Sequence, residues 1–199
     1  MNKQYYEVVV EGPLDLAKGF VMGFLAGRGI EGSAFFDEVC HIAGDDAAGP
    51  LIRLLEARDD ESTLIVGAGL YDLLAAALNR RPQAIALGIK KVRQVLGAAF
   101  TCAFRTYSRE VGEKLQDIFA CIPEGVDGDS EFELREKTDP AGKGVELFTP
   151  LHDYELAGKG RISGSVRGVL DLYQRLKRFE VVELGELELA YGNTLPPGE

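Results

Sequence analysis

The chain has no tryptophan, two histidines and three cysteines among its 199 residues. Cys40, Cys102 and Cys121 are odd in number and far apart. They match neither a disulfide framework nor the close pairs of a zinc site. Such sparing use of cysteine points to a reducing compartment, so a cytoplasmic location is expected. No apolar run approaches the roughly 20 residues needed to cross a bilayer. The first residues lack the basic segment, apolar run and cleavage site of a secretory signal, and no membrane association is expected. The glycine-rich phosphate-binding patterns are also missing. Gly27-Arg28-Gly29, Gly67-Ala68-Gly69 and Gly158-Lys159-Gly160 each supply turn glycines without the further spaced residues such loops require. No cofactor is specified. Basic residues are outnumbered, 22 to 32, giving a net charge of −10. That excess disfavours nonspecific binding to nucleic acid or to acidic lipid.

What is present is periodicity. Residues 5–10 alternate, with Tyr6, Val8 and Val10 on one side. Gly12-Pro13 breaks the strand, and Leu14, Ala17, Val21, Phe24 and Leu25 then recur at helical spacing. Gly19, Gly23 and Gly27 lie four apart on that helix, a row expected to allow close approach of the sheet or another helix. A strand at 34–42, a short helix at 51–58, a strand at 63–66 and a helix at 70–80 follow. Residues 85–98 are read as strand or extended connector.

From residue 99 the pattern is clearer. A strand at 100–107 leads to a helix that Ser108 caps, with its stripe at Val111, Leu115, Ile118 and Phe119. Glu131-Phe132-Glu133-Leu134-Arg135 has period two, placing Phe132 and Leu134 inward. A strand at 154–162, a helix capped by Ser165 and an alternating segment ending at Tyr191 complete the series. The expected class is α+β: ferredoxin-like βαββαβ units, two in tandem, with antiparallel sheets. Their bounds are read as 1–97, with an extra helix, and 98–192, followed by a mobile tail at 193–199.

Candidate chemistry is sparse. His41 precedes Asp45 and Asp46, donors suited to a divalent metal, although a strand-end histidine beside a solvated acidic turn is the favoured account. His152 and Tyr154 fall on one face of a strand, and with Arg105 and Arg161 they suit a carboxylate or phosphate. Arg105 and Tyr107 alternate with Phe104, so they should face away from the helices. Sheets of this kind leave one face without helical cover, and that face must meet solvent, a ligand or another sheet. The leading expectation is therefore a noncatalytic, self-associating module for a small, anionic metabolite or a protein partner. A small hydrolase or isomerase, with or without a metal, is the second reading; it requires His41 or His152 to converge with Asp45, Asp46 or Asp153 in a cleft. Single-stranded nucleic acid on the open sheet is the third, and the acidic balance weighs against it.

Overall fold

The computed structural model describes residues 4–27, 52–58, 60–80, 86–123, 125–127, 132–138 and 154–195. The protein is α+β, with four helices among these residues and antiparallel pairing between neighbouring strands. Two units emerge, one formed by 1–96 with 190–199 and the other by 97–189.

The first unit runs β1 (Tyr5–Glu11), α1 (Leu14–Ala26), β2 (Ile52–Ala57), β3 (Glu61–Gly67), α2 (Ala68–Asn79) and the first half of β4 (Gly88–Thr106). Its strands lie in the order β2-β3-β1-β4. Pro13 precedes α1 with φ −54°, a value its ring enforces and the first turn accepts. The apolar stripe of α1 then buries Ala17, Val21, Phe24 and Leu25. They join Val8, Val10, Leu64, Val66 and Val92 from the sheet and Leu70, Leu74 and Leu78 from α2. At the β1–α1 corner, Gly12 has φ +132° and donates its N–H to the Asp60 carbonyl at 2.7 Å.

Three expectations change here. The segment 51–58 is not a helix but the strand β2, paired with β3 from Ile52↔Val66 to Ala57↔Ser62. Its Leu, Glu, Ala and Arg content favours a helix locally, but six residues are too few to sustain one, and the ladder offered by β3 prevails. The glycine row on α1 makes no close approach among the described residues: a Cβ at Gly19 or Gly23 would meet none of them within 4 Å. The ending is not a loose tail from 193, because β9 (Glu188–Leu195) pairs with β4 and extends to Leu195. The strand expected at 34–42 lies outside the described residues.

The second unit takes the rest of β4, then α3 (Arg109–Ala120), β5 (Val126–Asp127), β6 (Glu133–Thr138), β7 (Tyr154–Gly164), α4 (Val166–Lys177), β8 (Val182–Leu184) and the start of β9. β5 and β6 pair with β7, β7 with β4, and β4 with β8. Both helices start as their sequences suggest. The Ser108 hydroxyl accepts from the Val111 N–H at 3.4 Å, and Ser165 from that of Gly168 at 3.2 Å. Phe100, Leu115, Leu156, Ile162, Val169, Leu172 and Leu176 form the core. Phe119 stacks on Phe104 and Phe132, with ring centroids 5.7 and 4.8 Å apart. A Cβ at Gly158 would lie 2.4 Å from the Phe104 ring, so the bare backbone makes room for that stack. Leu134, expected inward, is 41% exposed: among the described strands β6 pairs only with β7, and none lies on its other flank.

Candidate functional site

Register decides which side chains meet. In the second unit Phe100, Cys102, Phe104 and Thr106 are buried on the helix side of β4, while Thr101, Ala103 and Arg105 point the other way. Pairing carries that division across the sheet. Thr101, Ala103 and Arg105 lie opposite Arg161, Lys159 and Ala157 of β7. Lys159, Ala157 and Glu155 lie opposite Glu133, Arg135 and Lys137 of β6. Ala103 lies opposite Glu183 of β8. All of these residues are exposed or half-buried. Among the described residues this face of the unit therefore carries no apolar layer, and it holds both signs of charge rather than a positive stripe.

An open trough of about 540 Å³ lies on this face. Ala103 and Ala157 lie in its lining beside Arg105, Arg135, Lys159, Glu133, Glu183 and Val181. The floor is low because two neighbouring strands each place alanine there, on a diagonal. Ala157 has Arg135 on one side, Arg105 on the other and Lys159 two residues along its own strand. Arg135 Nη2 donates to Glu133 at 2.6 Å, and Arg105 Nε lies 3.4 Å from Glu155. Among the described residues no ion pair engages Lys159 or Glu183.

The residues singled out in the sequence separate. Arg105 borders the trough, and Tyr107 is exposed just beyond the end of β4. Arg161 shares the face but lies four residues along the ladder from Ala157, with Nη1 and Nη2 donating to Glu188 at 3.0 and 2.6 Å. That guanidinium holds the Glu188 carboxyl below its usual range. Tyr154 is on the opposite, helix-covered side, 5% exposed, against Gly112 of α3. A Cβ at Gly112 would sit 2.1 Å from the Tyr154 hydroxyl. That hydroxyl has no hydrogen-bond partner among the described residues, and burial raises its pKa, with Glu136 and Glu113 adding to the rise. His152, His41, Asp45 and Asp46 lie outside the described residues. Among those that are described, no group of three or more His, Cys, Asp or Glu is arranged to hold a metal. Burial pushes the Cys102 thiol up to about 12, which removes it as a nucleophile at neutral pH.

The first unit differs on the face of its sheet away from α1 and α2. Tyr5, Glu7, Ile65 and Val95 share that face by register, and all four are buried. Arg93 Nη2 donates to both Glu7 oxygens, at 2.8 and 2.9 Å. The Arg93 guanidinium also stacks 3.6 Å from the centre of the Tyr191 ring, a cation–π contact. Burial first, and then its hydrogen bond to Glu7, push the Tyr191 phenol from 10.0 up to about 12.

No protein-family model and no curated protein matches the sequence. Among solved structures the chain is similar to a crystal structure of an unknown protein from Galdieria sulphuraria, with 12% identity and a TM-score of 0.27 over 95% of this chain and 99% of that one. A similarity at that level leaves the reading of the site to its own geometry.

Tyr191 sets an expectation for alkaline solution. In the unfolded chain the phenol releases its proton near 10.0; in the fold it holds it to about 12. Between those values the folded state binds more protons than the unfolded state. This contribution is intact below pH 10 and declines as pH rises through about 12. Urea unfolding at several pH values should show a flatter alkaline limb for Tyr191→Phe than for the parent chain. Parallel curves would contradict the assignment.

Proposed function

We propose that the chain is a noncatalytic binding module that takes a small anionic metabolite on the helix-free face of its second unit. The observation carrying this reading is the arrangement around Ala157, where Arg105, Arg135 and Lys159 occupy three neighbouring ladder positions above a small side chain. Guanidinium groups approaching from both sides suit a planar carboxylate or a phosphate oxygen pair, and Lys159 adds a point charge. The trough volume of about 540 Å³ falls in the usual range for small-molecule sites. The same residues leave little for catalysis. No titratable group in the trough combines burial with a second group poised for proton transfer.

Each unit is read as ferredoxin-like, the two forming a tandem pair. Support comes from the element order βαββαβ in the first unit, from the same order in the second with the two-residue β5 and the start of β9 added, and from the parallel between β2-β3-β1-β4 in one unit and β6-β7-β4-β8 in the other. A cytoplasmic location belongs to the same reading, with Cys102 and Cys121 as free thiols. Among the described residues no helix is long and apolar enough to cross a membrane.

Self-association is assigned to the first unit rather than to the trough. β2 is the last strand in its order, and its sequence, Ile-Arg-Leu-Leu-Glu-Ala, is largely apolar. β6 has the corresponding place in the second unit but reads Glu-Leu-Arg-Glu-Lys-Thr, a charged edge of the kind that discourages pairing. The face of the first unit's sheet away from α1 and α2 is not the contact, because Tyr5, Ile65 and Val95 are already buried.

Calorimetric titration at low salt with acetate and with inorganic phosphate tests the ligand reading. Saturable binding by either anion is expected, weakened about tenfold, or ~1.4 kcal/mol, by Arg105→Gln. Binding by neither, or equal binding by the variant, would refute it. Light scattering on the same preparations should show a mass rising with concentration, and Leu54→Pro should abolish that rise.

A further inference from the structure

We infer that the anion of the trough is borne by an aromatic molecule, a monocarboxylate whose carboxylate and aryl ring are joined by a short methylene linker. This rests on the anion reading above and adds a subsite for the rest of the ligand. A carboxylate over Ala157 can lead in two directions along the strands. In one lies Glu155, a carboxylate already engaged by Arg105. In the other lies Ala103, the diagonal neighbour of Ala157 at about 7–8 Å. A linker of two methylenes sets a ring over that second alanine.

The surroundings of Ala103 decide what fills the place. Lys159 lies directly opposite on β7, Arg105 two residues along β4, and Glu183 directly opposite on β8. Glu133 is held by Arg135 and does not alter that balance. An ammonium group there would be repelled by Lys159 and Arg105, and a second carboxylate by Glu183. An aromatic ring gains from both signs. Its face is negative and its edge positive, so the cations on their long stems can lie over the face while a carboxylate meets the edge. A saturated group has no such quadrupole and gains from neither. Lys159 and Glu183 are exposed and have no ion pair among the described residues, so neither gives up a partner to reach the ring. The Ala103 methyl supplies a floor, and Val181, 38% exposed, an apolar wall.

The probes are 3-phenylpropanoate, 3-cyclohexylpropanoate and propanoate, titrated calorimetrically into the whole chain at low salt. The two ring compounds share charge and length, and the saturated ring is at least as apolar, so burial alone gives the aryl compound no advantage. The expected order is 3-phenylpropanoate tightest, 3-cyclohexylpropanoate about fivefold weaker and propanoate weakest. Lys159→Gln should weaken all three and reduce the aryl preference by half or more. That ratio is the deciding readout, because loss of a mere counter-charge would weaken both ring compounds equally. An unchanged ratio in the variant would overturn the aromatic assignment. Equal binding of the two ring compounds by the parent chain, or tighter binding of the saturated one, would also overturn it and leave the anion site standing. Failure of acetate, phosphate and all three propanoates would remove both.

Discussion

Gly12→Ala is expected to remove a large part of the stability of the first unit. Its φ of +132° is a conformation that an L side chain enters only with strain, in the range of ~1–3 kcal/mol. Space is lacking as well. The added Cβ would lie 2.2 Å from the Ala86 carbonyl oxygen and 2.7 Å from Leu87 Cδ2, and the first of these is backbone. Leu87 is 2% exposed, so it has nowhere to retreat. Overpacking of this kind adds another ~1–3 kcal/mol. The sum, about 2–6 kcal/mol, is a large part of the 5–15 kcal/mol typical of a whole domain. Urea unfolding followed by circular dichroism would measure it. Gly19→Ala is the internal contrast. There the new methyl meets none of the described residues within 4 Å, and the better helix propensity should stabilise by about 0.5–1 kcal/mol. If both variants unfold at the same urea concentration, the Gly12 corner is not strained as described.

Arg93→Met is expected to be nearly as damaging, for an electrostatic reason. Glu7 is 5% exposed, and both its carboxylate oxygens accept from Arg93 Nη2, with the Tyr191 hydroxyl as a further partner. Removing the guanidinium leaves a buried, uncompensated charge, a change that typically costs about 3–5 kcal/mol. The pair itself need not be worth that much. Both groups were desolvated to form it, so Glu7→Leu combined with Arg93→Met should recover most of the loss. Chemical unfolding of the parent, both single variants and the double variant gives the coupling directly. Additive losses would show that the two groups act independently. Tyr191 adds a further effect, since its ring loses the cation stacked on it and β9 loses a side-chain anchor to β4.

Much of the architecture is legible in the sequence because its period is clean. Alternation at Tyr6, Val8 and Val10 and helical spacing at Val21, Phe24 and Leu25 each mark one buried side, and the α+β class follows from their order. Ser108 and Ser165 announce their helices because a hydroxyl at that position has a specific task. β2 is illegible for the opposite reason. Six residues with mixed propensity take their conformation from β3, which is a tertiary fact. The site is less legible still. Arg105 can be placed on the helix-free side from Phe104 alone. Its neighbours Arg135, Lys159 and Glu183 come from three other strands, and only the register brings them together. Tyr154 shows the limit: two residues from Leu156 it must share that residue's side, but nothing local says that this is the side covered by α3.

The last strand has a consequence for how the molecule is made. Residues 190–199 belong to the unit that opens the chain, and β9 lies along β4 there. A ribosome that has already released Tyr5–Asn79 has still not released the closing piece of that unit. The nascent N-terminal half must therefore wait, with one flank of β4 unsealed, until Ala190–Leu195 has emerged, and a chain broken off within the second unit would leave both units unfinished.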